Sequence, residues 1–227
     1  HDKGITAIVN ADPSRLDFPL DVMSGFCGEL ARLYSSHMES PKQFFYISAL
    51  TCLGSALSDR LTLNSELRPQ PRLYSLLLAE SADARKSTSI DKTTDFFKWA
   101  VGDFSVCWGV NSAEGLQRRM EENPKLLLAL DEFKNFVNKC KIEASALLPV
   151  VNTLFESNRY ESRTKNSEIK LENARLSLLA ASTIETYQRT WAASFTDIGF
   201  LNRIWLVPGD SKRRFSIPPK APERERT

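Results

Sequence analysis

The sequence predicts an α/β fold in which helices cover both faces of a mainly parallel sheet, preceded by a small N-terminal helical segment. Apolar runs alternate with stretches whose apolar residues recur at helical spacing; the clearest runs are "RLYSLLLA", "KLLLALDEF" and "RLSLLAAST". Unbroken apolar runs are typical of strands buried on both faces, and strands separated by helices pair in parallel. The 227 residues, 42% of them hydrophobic, are enough to bury one such core.

The first part of the chain is predicted to be extended and then helical. The stretch "ADPSRLDFPLDVMSG" is proline-rich and irregular, and two helices are predicted after it, in "FCGELARLYSSHM" and "PKQFFYISALTCLGSALSDRL". Pro41 suits the first turn of the second helix, where no N–H is needed. We therefore predict that residues 1–70 form an N-terminal segment packed on a core of residues 71–210, and that the basic, proline-rich residues 211–227 form a tail or linker.

The core is predicted to alternate strands and helices up to its last strand. "RLYSLLLA" is the first strand and "KSTSIDKTTDFFKWAV" the helix that follows it. Further strands are predicted in "FSVCWGV", "KLLLALDEF", "RLSLLAAST" and "GFLNRIWLV". Helices are predicted in "SAEGLQRRMEEN" and "ASALLPVVNTLFES", and the second of these leads into the polar stretch "NRYESRTKNSEIKLENA". The sequence contains no internal repeat.

Charge and cysteine content exclude several classes of protein. Lys and Arg number 30 against 28 Asp and Glu, so no global field attracts nucleic acid or membrane, and any site for a polyanion must be local. The cysteines are widely spaced and histidines number only 2, which disfavours a zinc site or a Cys–His catalytic pair and predicts a reduced, cytoplasmic protein. The apolar runs are too short to span a bilayer. Because the chain begins at His1 without an apolar leader, we interpret it as an excised segment that lacks flanking domains.

The stretch "LYSLLLAESADARKSTSI", residues 73–90, is predicted to be a strand, a loop and the start of a helix. In a phosphate-binding loop of the form G-x-x-x-x-G-K-[ST], backbone N–H groups and a lysine bind phosphates while a hydroxyl ligates magnesium. Lys86 and Ser87 occupy the last two positions of this pattern, whereas Glu80 and Arg85 replace the glycines. The stretch is therefore a candidate nucleotide site that departs from the usual pattern.

The alternative for this stretch is an ordinary strand-to-helix turn, in which Ser81 or Asp83 caps the helix and Lys86 is solvated. The small side chains in the loop relieve part of the crowding that the missing glycines create. On the nucleotide interpretation, contacts come from the loop and the first helical turn: Ser81, Ala82, Asp83, Ala84, Arg85, Lys86, Ser87 and Thr88.

A pair of acids follows the strand "KLLLALDEF". Nucleotide-hydrolysing proteins need one carboxylate at the end of a neighbouring buried strand to hold magnesium through its water, and often a second to orient the attacking water. Asp131 and Glu132 match these roles in type and place, so Ser87 and Asp131 are the candidate magnesium ligands and Glu132 the candidate catalytic residue. The alternative is a buried strand followed by Asp131 as a helix cap.

Two further polar positions complete the candidate catalytic set. Ser182 or Thr183, at the end of "RLSLLAAST", is a candidate sensor of the terminal phosphate, and Thr183 is our choice. Arg203 precedes an apolar run, as does the arginine finger that oligomeric ATPases insert into a neighbouring subunit. The alternatives are a polar strand end for Thr183 and a surface salt bridge for Arg203.

The order of these motifs resembles that of the uncharacterised helicase-like P-loop ATPases encoded beside, or fused to, primase modules in phages, plasmids and other mobile elements. The resemblance covers most of the chain, from "FPLDVMSGF" through the two helices to "LYSLLLAESADARKST", "LLLALDEF", "LSLLAASTIET" and "GFLNRIWLV". Members of this group often carry S-x-x-x-x-K-S in the loop, and residues 81–87 keep that part. The resemblance implies a P-loop NTPase fold of the RecA/AAA-like kind.

The resemblance also implies a magnesium-dependent ATPase of a replication helicase or helicase loader, with ATP and Mg²⁺ as cofactors. It assigns Lys86 to phosphate, Ser87 and Asp131 to magnesium, Glu132 to the attacking water, and Arg203 to the neighbouring subunit's site. The implied partners are single-stranded or forked DNA and further copies of the chain in a ring.

The best local candidate for DNA contact is "NRYESRTKNSEIKLENAR". Its basic side chains could contact phosphates and Tyr160 could stack on a base; the basic candidates are Arg159, Arg163, Lys165 and Lys170. Interspersed glutamates dilute that charge, and the alternative is a solvated polar hairpin.

Three classes of function stay open on the sequence. The first is the magnesium-dependent ATPase. The second is a degenerate module that binds nucleotide or DNA without turnover, which the missing glycines suit. The third is a structural adaptor in which the lysine and the acids have no catalytic role. Nucleotide binding and turnover, measured together, separate the three.

Overall fold

A computed structural model describes residues 18–80, 84–163, 168–190, 195 and 199–210. The α-helices in this part are α1 (Gly25–His37), α2 (Lys42–Leu57), α3 (Lys86–Ala100), α4 (Ala113–Glu122), α5 (Phe133–Cys140), α6 (Leu147–Glu156) and α7 (Ile184–Thr190). The strands are β1 (Tyr74–Ala79), β2 (Val106–Trp108), β3 (Lys125–Leu130), β4 (Tyr160–Arg163), β5 (Glu168–Leu171), β6 (Arg175–Thr183) and β7 (Ile204–Pro208). Short 3₁₀ helices span Leu20–Val22 and Leu201–Arg203.

Five strands form one sheet in the order β2-β3-β6-β1-β7, and every neighbouring pair is parallel. β4 and β5 form a separate antiparallel hairpin. Because the five strands are parallel, their carboxyl ends share one edge of the sheet, called the carboxyl edge below, and their starts share the amino edge. The predicted α/β fold with a mainly parallel sheet is confirmed.

Helices cover both faces of the sheet. Successive side chains of a strand point to opposite faces, so Leu76 packs in a cluster with α4, α5 and α6, while Leu77 packs in a second cluster with α1, α2 and α3. All residues of β1 and β3 are buried, which explains their unbroken apolar runs. Burying one such leucine side chain contributes roughly 1.5–3 kcal/mol.

The N-terminal helices belong to the same core as one face of the sheet. Leu30 on α1 and Phe44 on α2 are buried in the cluster that contains Leu77 and Leu179. Pro41 is the cap residue immediately before α2, so its missing N–H leaves the helix intact. The helices therefore lie directly against the strands that lead to the carboxyl edge.

The structure also contains elements that the sequence patterns did not predict. β3 ends at Leu130, and the chain enters α5 at Phe133, whereas "KLLLALDEF" was expected to be one strand. Phe133, Phe136 and Val137 recur at helical spacing and are buried, which is why this short stretch is helical. α7 was not predicted either. Arg203 lies in a 3₁₀ turn before β7 rather than inside the last strand.

Candidate functional site

The predicted first strand and the helix after it meet at the carboxyl edge, where β1 lies between β6 and the outer strand β7. β1 ends at Ala79, Glu80 is exposed, and α3 begins at Lys86. From β1 the chain crosses over to β2 at one side of the sheet, while β7 lies on the other side of β1. Ligands of parallel α/β sheets bind where the strand order diverges in this way, outside the carboxyl ends of the strands. Ser81, Ala82 and Asp83 lie outside the described residues.

Arg85 makes a sharp turn directly before α3. It has φ 45° and ψ 46°, in the left-handed region, and it follows Ala84 in 3₁₀ geometry. A right-handed residue followed by a left-handed one points successive N–H groups into a shared concavity that binds anions. This geometry explains why glycine is usual at the position, because a side chain in the left-handed region costs about 1–2 kcal/mol. Arg85 also occupies the capping position of α3, rather than Ser81 or Asp83.

The first turn of α3 carries the lysine and the hydroxyls. Lys86 is half-buried, and this burial lowers the pKa of its ammonium group. Ser87 is exposed and Thr88 is half-buried. The first N–H groups of a helix have no partner within the helix and favour negative charge. This end of α3 therefore combines a lysine, an exposed hydroxyl and backbone N–H donors suited to an anion.

The two acids predicted for magnesium and water lie at the same edge. Asp131 and Glu132 follow β3 and are exposed, with β6 between β3 and β1, so two strand spacings, about 10 Å, separate their strand from the loop's strand. Partial desolvation raises the pKa of Asp131, and the Glu132 carboxylate raises it further. Glu132 is the residue that precedes α5, so the alternative in which Asp131 caps that helix is wrong. The Glu132 carboxylate accepts a hydrogen bond from Asn135 Nδ2 at 3.0 Å.

Asp91 is an acid at this edge that the sequence interpretation missed. It lies four residues beyond Ser87 on α3 and hence on the same face of the helix. Burial raises its pKa, and so do Asp131 and Asp95, in that order. The effect of Asp131 on this pKa places the two carboxylates within electrostatic range of each other. The spacing of Asp91 from Ser87 was the available signal.

Thr183 stands where a phosphate sensor was predicted, but its hydroxyl has a local role. It ends β6, beside Ala79 of β1. Its Oγ1 accepts a hydrogen bond from the Thr186 N–H at 3.1 Å and donates one to Thr186 Oγ1 at 2.8 Å, so it caps α7. Ser182 is buried, and its Oγ donates to the Thr183 carbonyl at 3.0 Å. These contacts match the alternative of a polar strand end, and the sensor role stays a prediction.

Arg203 lies at the amino edge of the sheet, whereas the loop of its own chain follows β1 at the carboxyl edge. The residue after it, Ile204, pairs with Tyr74 at the start of β1, five residue steps or about 16 Å from Ala79. Its Nη2 lies 2.7 Å from Glu156 Oε1, and its Nη1 donates to the Gly199 carbonyl at 2.7 Å. These bonds match the salt-bridge alternative, and a role in a neighbouring subunit stays a prediction.

The DNA candidates lie on the β4–β5 hairpin or beside it. Arg163 is 4.0 Å from a Glu168 carboxylate oxygen. Lys170 lies 3.1 Å from Glu172 and 3.7 Å from Glu161, and these partners raise its pKa, with Glu172 contributing most. Arg159 is exposed just before β4, and Lys165 lies outside the described residues. The glutamates therefore neutralise part of the basic charge, as the hairpin alternative expected.

No protein-family model matches the chain, and no curated protein matches it. Within the described ranges, no helix is long and apolar enough to cross a bilayer. Nor do three or more His, Cys, Asp or Glu side chains of that part of the chain converge on a common point.

All four cysteines are free thiols. Burial raises the pKa of Cys27 to about 11 and that of Cys140 to about 12, which disfavours their reactive thiolate forms. Because a reactive thiol needs a lowered pKa, the candidate chemistry of the chain rests on the lysine, hydroxyls and acids of the carboxyl edge.

Proposed function

We propose that this chain binds ATP with Mg²⁺ at the carboxyl edge and hydrolyses it, as the ATPase part of a replication helicase or helicase loader of a phage or mobile element. The observation that carries the nucleotide proposal is the right-handed to left-handed turn at Ala84 and Arg85, directly before Lys86. It supports an anion cradle at the start of a helix, in the sheet position where parallel α/β proteins bind ligands.

Phosphate binding would use the first turn of α3. Backbone N–H groups of the turn and the ammonium group of Lys86 would donate to phosphate oxygens, and hydrogen bonds to charged groups contribute about 1.5–3 kcal/mol each. A bound phosphate would also favour the charged form of Lys86, whose pKa is lowered by burial. The lysine is thus the side chain on which affinity depends most.

The residues at the edge fit magnesium in the form that accompanies a nucleotide. Mg²⁺ in nucleotide sites keeps several waters and takes only one or two carboxylates plus phosphate oxygens. The Ser87 hydroxyl and the Asp131 carboxylate supply such a partial set of oxygens, so a cage of three protein carboxylates is not needed. When bound, the ion supplies neutralisation of phosphate charge. Asp131 must be ionised to take part, and its raised pKa makes this dependent on pH.

Turnover and DNA binding rest on fewer structural observations than nucleotide binding does. Glu132 is exposed at the edge, where it would accept a proton from or orient a water molecule, after exchanging its bond to Asn135. Arg203 would act only in a neighbouring copy, after leaving Glu156. The proposals of single-stranded or forked DNA and of a ring rest on the family resemblance of the motifs.

A second candidate function is nucleotide binding without turnover. Specific contacts favour it: the Thr183 hydroxyl caps α7, and the Glu132 carboxylate is bound by Asn135. Both groups that would act on the terminal phosphate or the water are thus held by neighbours. Arg85 in place of glycine adds a constraint on the loop.

A titration with a fluorescent ATP analogue, with and without Mg²⁺, tests the proposal when phosphate release is measured on the same samples. The pair Asp131→Asn and Glu121→Gln compares the candidate ligand with an exposed acid on α4. We expect magnesium to tighten binding by a similar factor in the parent and in Glu121→Gln. In Asp131→Asn this factor should be about ten times smaller. Phosphate release supports the ATPase, whereas binding without release selects the second function. Absence of binding overturns both.

A further inference from the structure

The connection between α1 and α2 forms an ion pair and hydrogen bonds with the end of the loop at the carboxyl edge. Glu39 Oε2 lies 2.9 Å from Arg85 Nη2, and the Glu39 side chain is 0% exposed. Ser40 Oγ donates to the carbonyls of Ala84 at 3.2 Å and Arg85 at 3.3 Å, and it also hydrogen-bonds Ser89 Oγ. These contacts join the two residues of the connection to both residues of the sharp turn and to the first turns of α3.

The ion pair decides where the Arg85 side chain points. A buried carboxylate is stable only with a close partner, so Glu39 holds the guanidinium toward the α1–α2 connection. An arginine at this position of a phosphate loop could otherwise compete with Lys86 for the anion or block the concavity. Paired with Glu39, Arg85 serves the shape of the loop rather than binding the anion.

The contacts also offset the conformational cost of Arg85. Its left-handed backbone is disfavoured for any residue with a side chain, and such conformations persist only where the surroundings fix them. Ser40 donates to the carbonyls of the peptide groups before and after Arg85, and Glu39 pairs with the Arg85 side chain. A glycine at position 85 would adopt this conformation without support. With arginine there, residues from another part of the chain stabilise it.

We propose that Glu39 and Ser40 are positioning residues that hold the Ala84–Arg85 turn in its anion-binding shape. The choice of nucleotide as the anion rests on the proposed function, whereas the control of loop shape does not. The N-terminal helices are then part of the nucleotide site. Glycine at position 85 should make Glu39 dispensable, because the turn would no longer need to be held.

The test compares Glu39→Gln, Ser40→Ala, Arg85→Gly and the double variant Glu39→Gln with Arg85→Gly. Glu29→Gln, an exposed acid on α1, is the control. Affinity for a fluorescent ATP analogue, the thermal midpoint and amide exchange of residues 84–87 are measured on each protein. We expect Glu39→Gln and Ser40→Ala to weaken binding about tenfold and to speed exchange at the loop, with Glu29→Gln unchanged.

The double variant provides the decisive comparison, because it removes both charges of the buried pair and places glycine in the turn. We expect it to bind within about threefold of the parent, tighter than Glu39→Gln. A role of Glu39 in general stability alone would lower the thermal midpoint without this recovery of affinity. Parental affinity in folded Glu39→Gln, or no recovery in the double variant, overturns the proposal.

The loop measurement separates this proposal from the proposed function. If the parent binds no nucleotide, the proposed function fails. Amide exchange still tests whether Glu39 and Ser40 stabilise the conformation of residues 84–87. Faster exchange in both Glu39→Gln and Ser40→Ala, with exchange of β3 unchanged, supports it. Parental exchange at the loop in both variants overturns it. Ser40→Ala keeps the buried ion pair, so it remains informative if Glu39→Gln does not fold.

Discussion

Ala79 and Thr183 pair with each other at the carboxyl ends of adjacent parallel strands, β1 and β6. The other neighbour of β6 is β3, whose last residue Leu130 leads into Asp131. The loop before Lys86, the polar end of β6 and the acids after β3 therefore leave consecutive strands at one edge of the sheet. A single ligand at this edge could contact all three, and the expected effects of substitutions follow from that placement.

Glu132→Gln should separate binding from chemistry. The substitution keeps the size of the side chain and one acceptor oxygen but removes the carboxylate proposed to orient water. We expect nucleotide affinity to stay within about threefold of the parent and turnover to fall by about a hundredfold or more. Phosphate release under saturating ATP is the measurement. Hydrolysis at the parental rate would show that Glu132 has no catalytic role.

Arg203→Ala should destabilise the fold more than removal of an exposed arginine. Its side chain is 22% exposed and bonds both Glu156 and the Gly199 carbonyl, whereas Arg189 is 78% exposed and pairs with Glu185 one turn away. We expect Arg203→Ala to cost about 1–2 kcal/mol, or roughly 2–8 °C in thermal midpoint. Arg189→Ala should cost about 0.5 kcal/mol or less. Equal midpoints for the two variants would contradict this packing of Arg203.

Mixed subunits test whether Arg203 also serves a neighbouring site. If it does, Arg203→Ala keeps its nucleotide affinity but loses turnover, since an arginine stabilises transferring phosphate only on contact. Mixing Arg203→Ala with Glu132→Gln should then restore activity at interfaces that combine an intact arginine with an intact acid. No recovery in demonstrably mixed assemblies, or full activity of a monomer, would return Arg203 to its salt-bridge role.

Asp91→Asn should raise stability at neutral pH and less so in acid. The pKa of Asp91 is raised in the folded protein above its ordinary value of 3.8, so the native state binds the proton more tightly than the unfolded state does. Stability therefore falls as pH rises from the ordinary pKa through the raised one. Removing the charge should raise the thermal midpoint by roughly 1–2 °C near neutrality, as expected when a few tenths of a kcal/mol of desolvation and repulsion are relieved.

Thermal unfolding of the parent and Asp91→Asn at several pH values between about 4 and 7 checks this expectation. The exposed variant Glu121→Gln is the control, and its difference from the parent should not follow the same trend. A midpoint difference for Asp91→Asn that grows as the pH falls would have the wrong sign for a raised pKa.

Local sequence patterns were sufficient to predict the strand, loop and helix around Lys86. The apolar run of β1 and the helical spacing of α3 are local properties, and so is the position of Asp131 after a buried strand. The same patterns misjudged residues 131–133, because an apolar run followed by Phe133 extends a strand as readily as it begins a helix. Burial of Phe133 and Phe136 against the sheet decides for the helix.

Other features of the site depend on contacts between distant parts of the chain. The position of β6 between β1 and β3 pairs strands that are far apart in the chain, and no single stretch of the sequence predicts it. The left-handed turn at Arg85 likewise involves Glu39 and Ser40, which the sequence places two elements earlier. The capping role of Thr183 depends on α7, a helix too short to show a clear apolar spacing.

The most direct test of the nucleotide site is the affinity of Lys86→Ala for a fluorescent ATP analogue, compared with that of Lys92→Ala. Lys92 is an exposed lysine on the same helix, so the two variants change net charge equally. Both should fold, because neither side chain is fully buried. Lys86→Ala loses a charged donor to phosphate, so its affinity should fall at least about tenfold or be lost completely. The affinity of Lys92→Ala should stay close to that of the parent. Unchanged affinity in folded Lys86→Ala would contradict the assignment of this loop as the phosphate site.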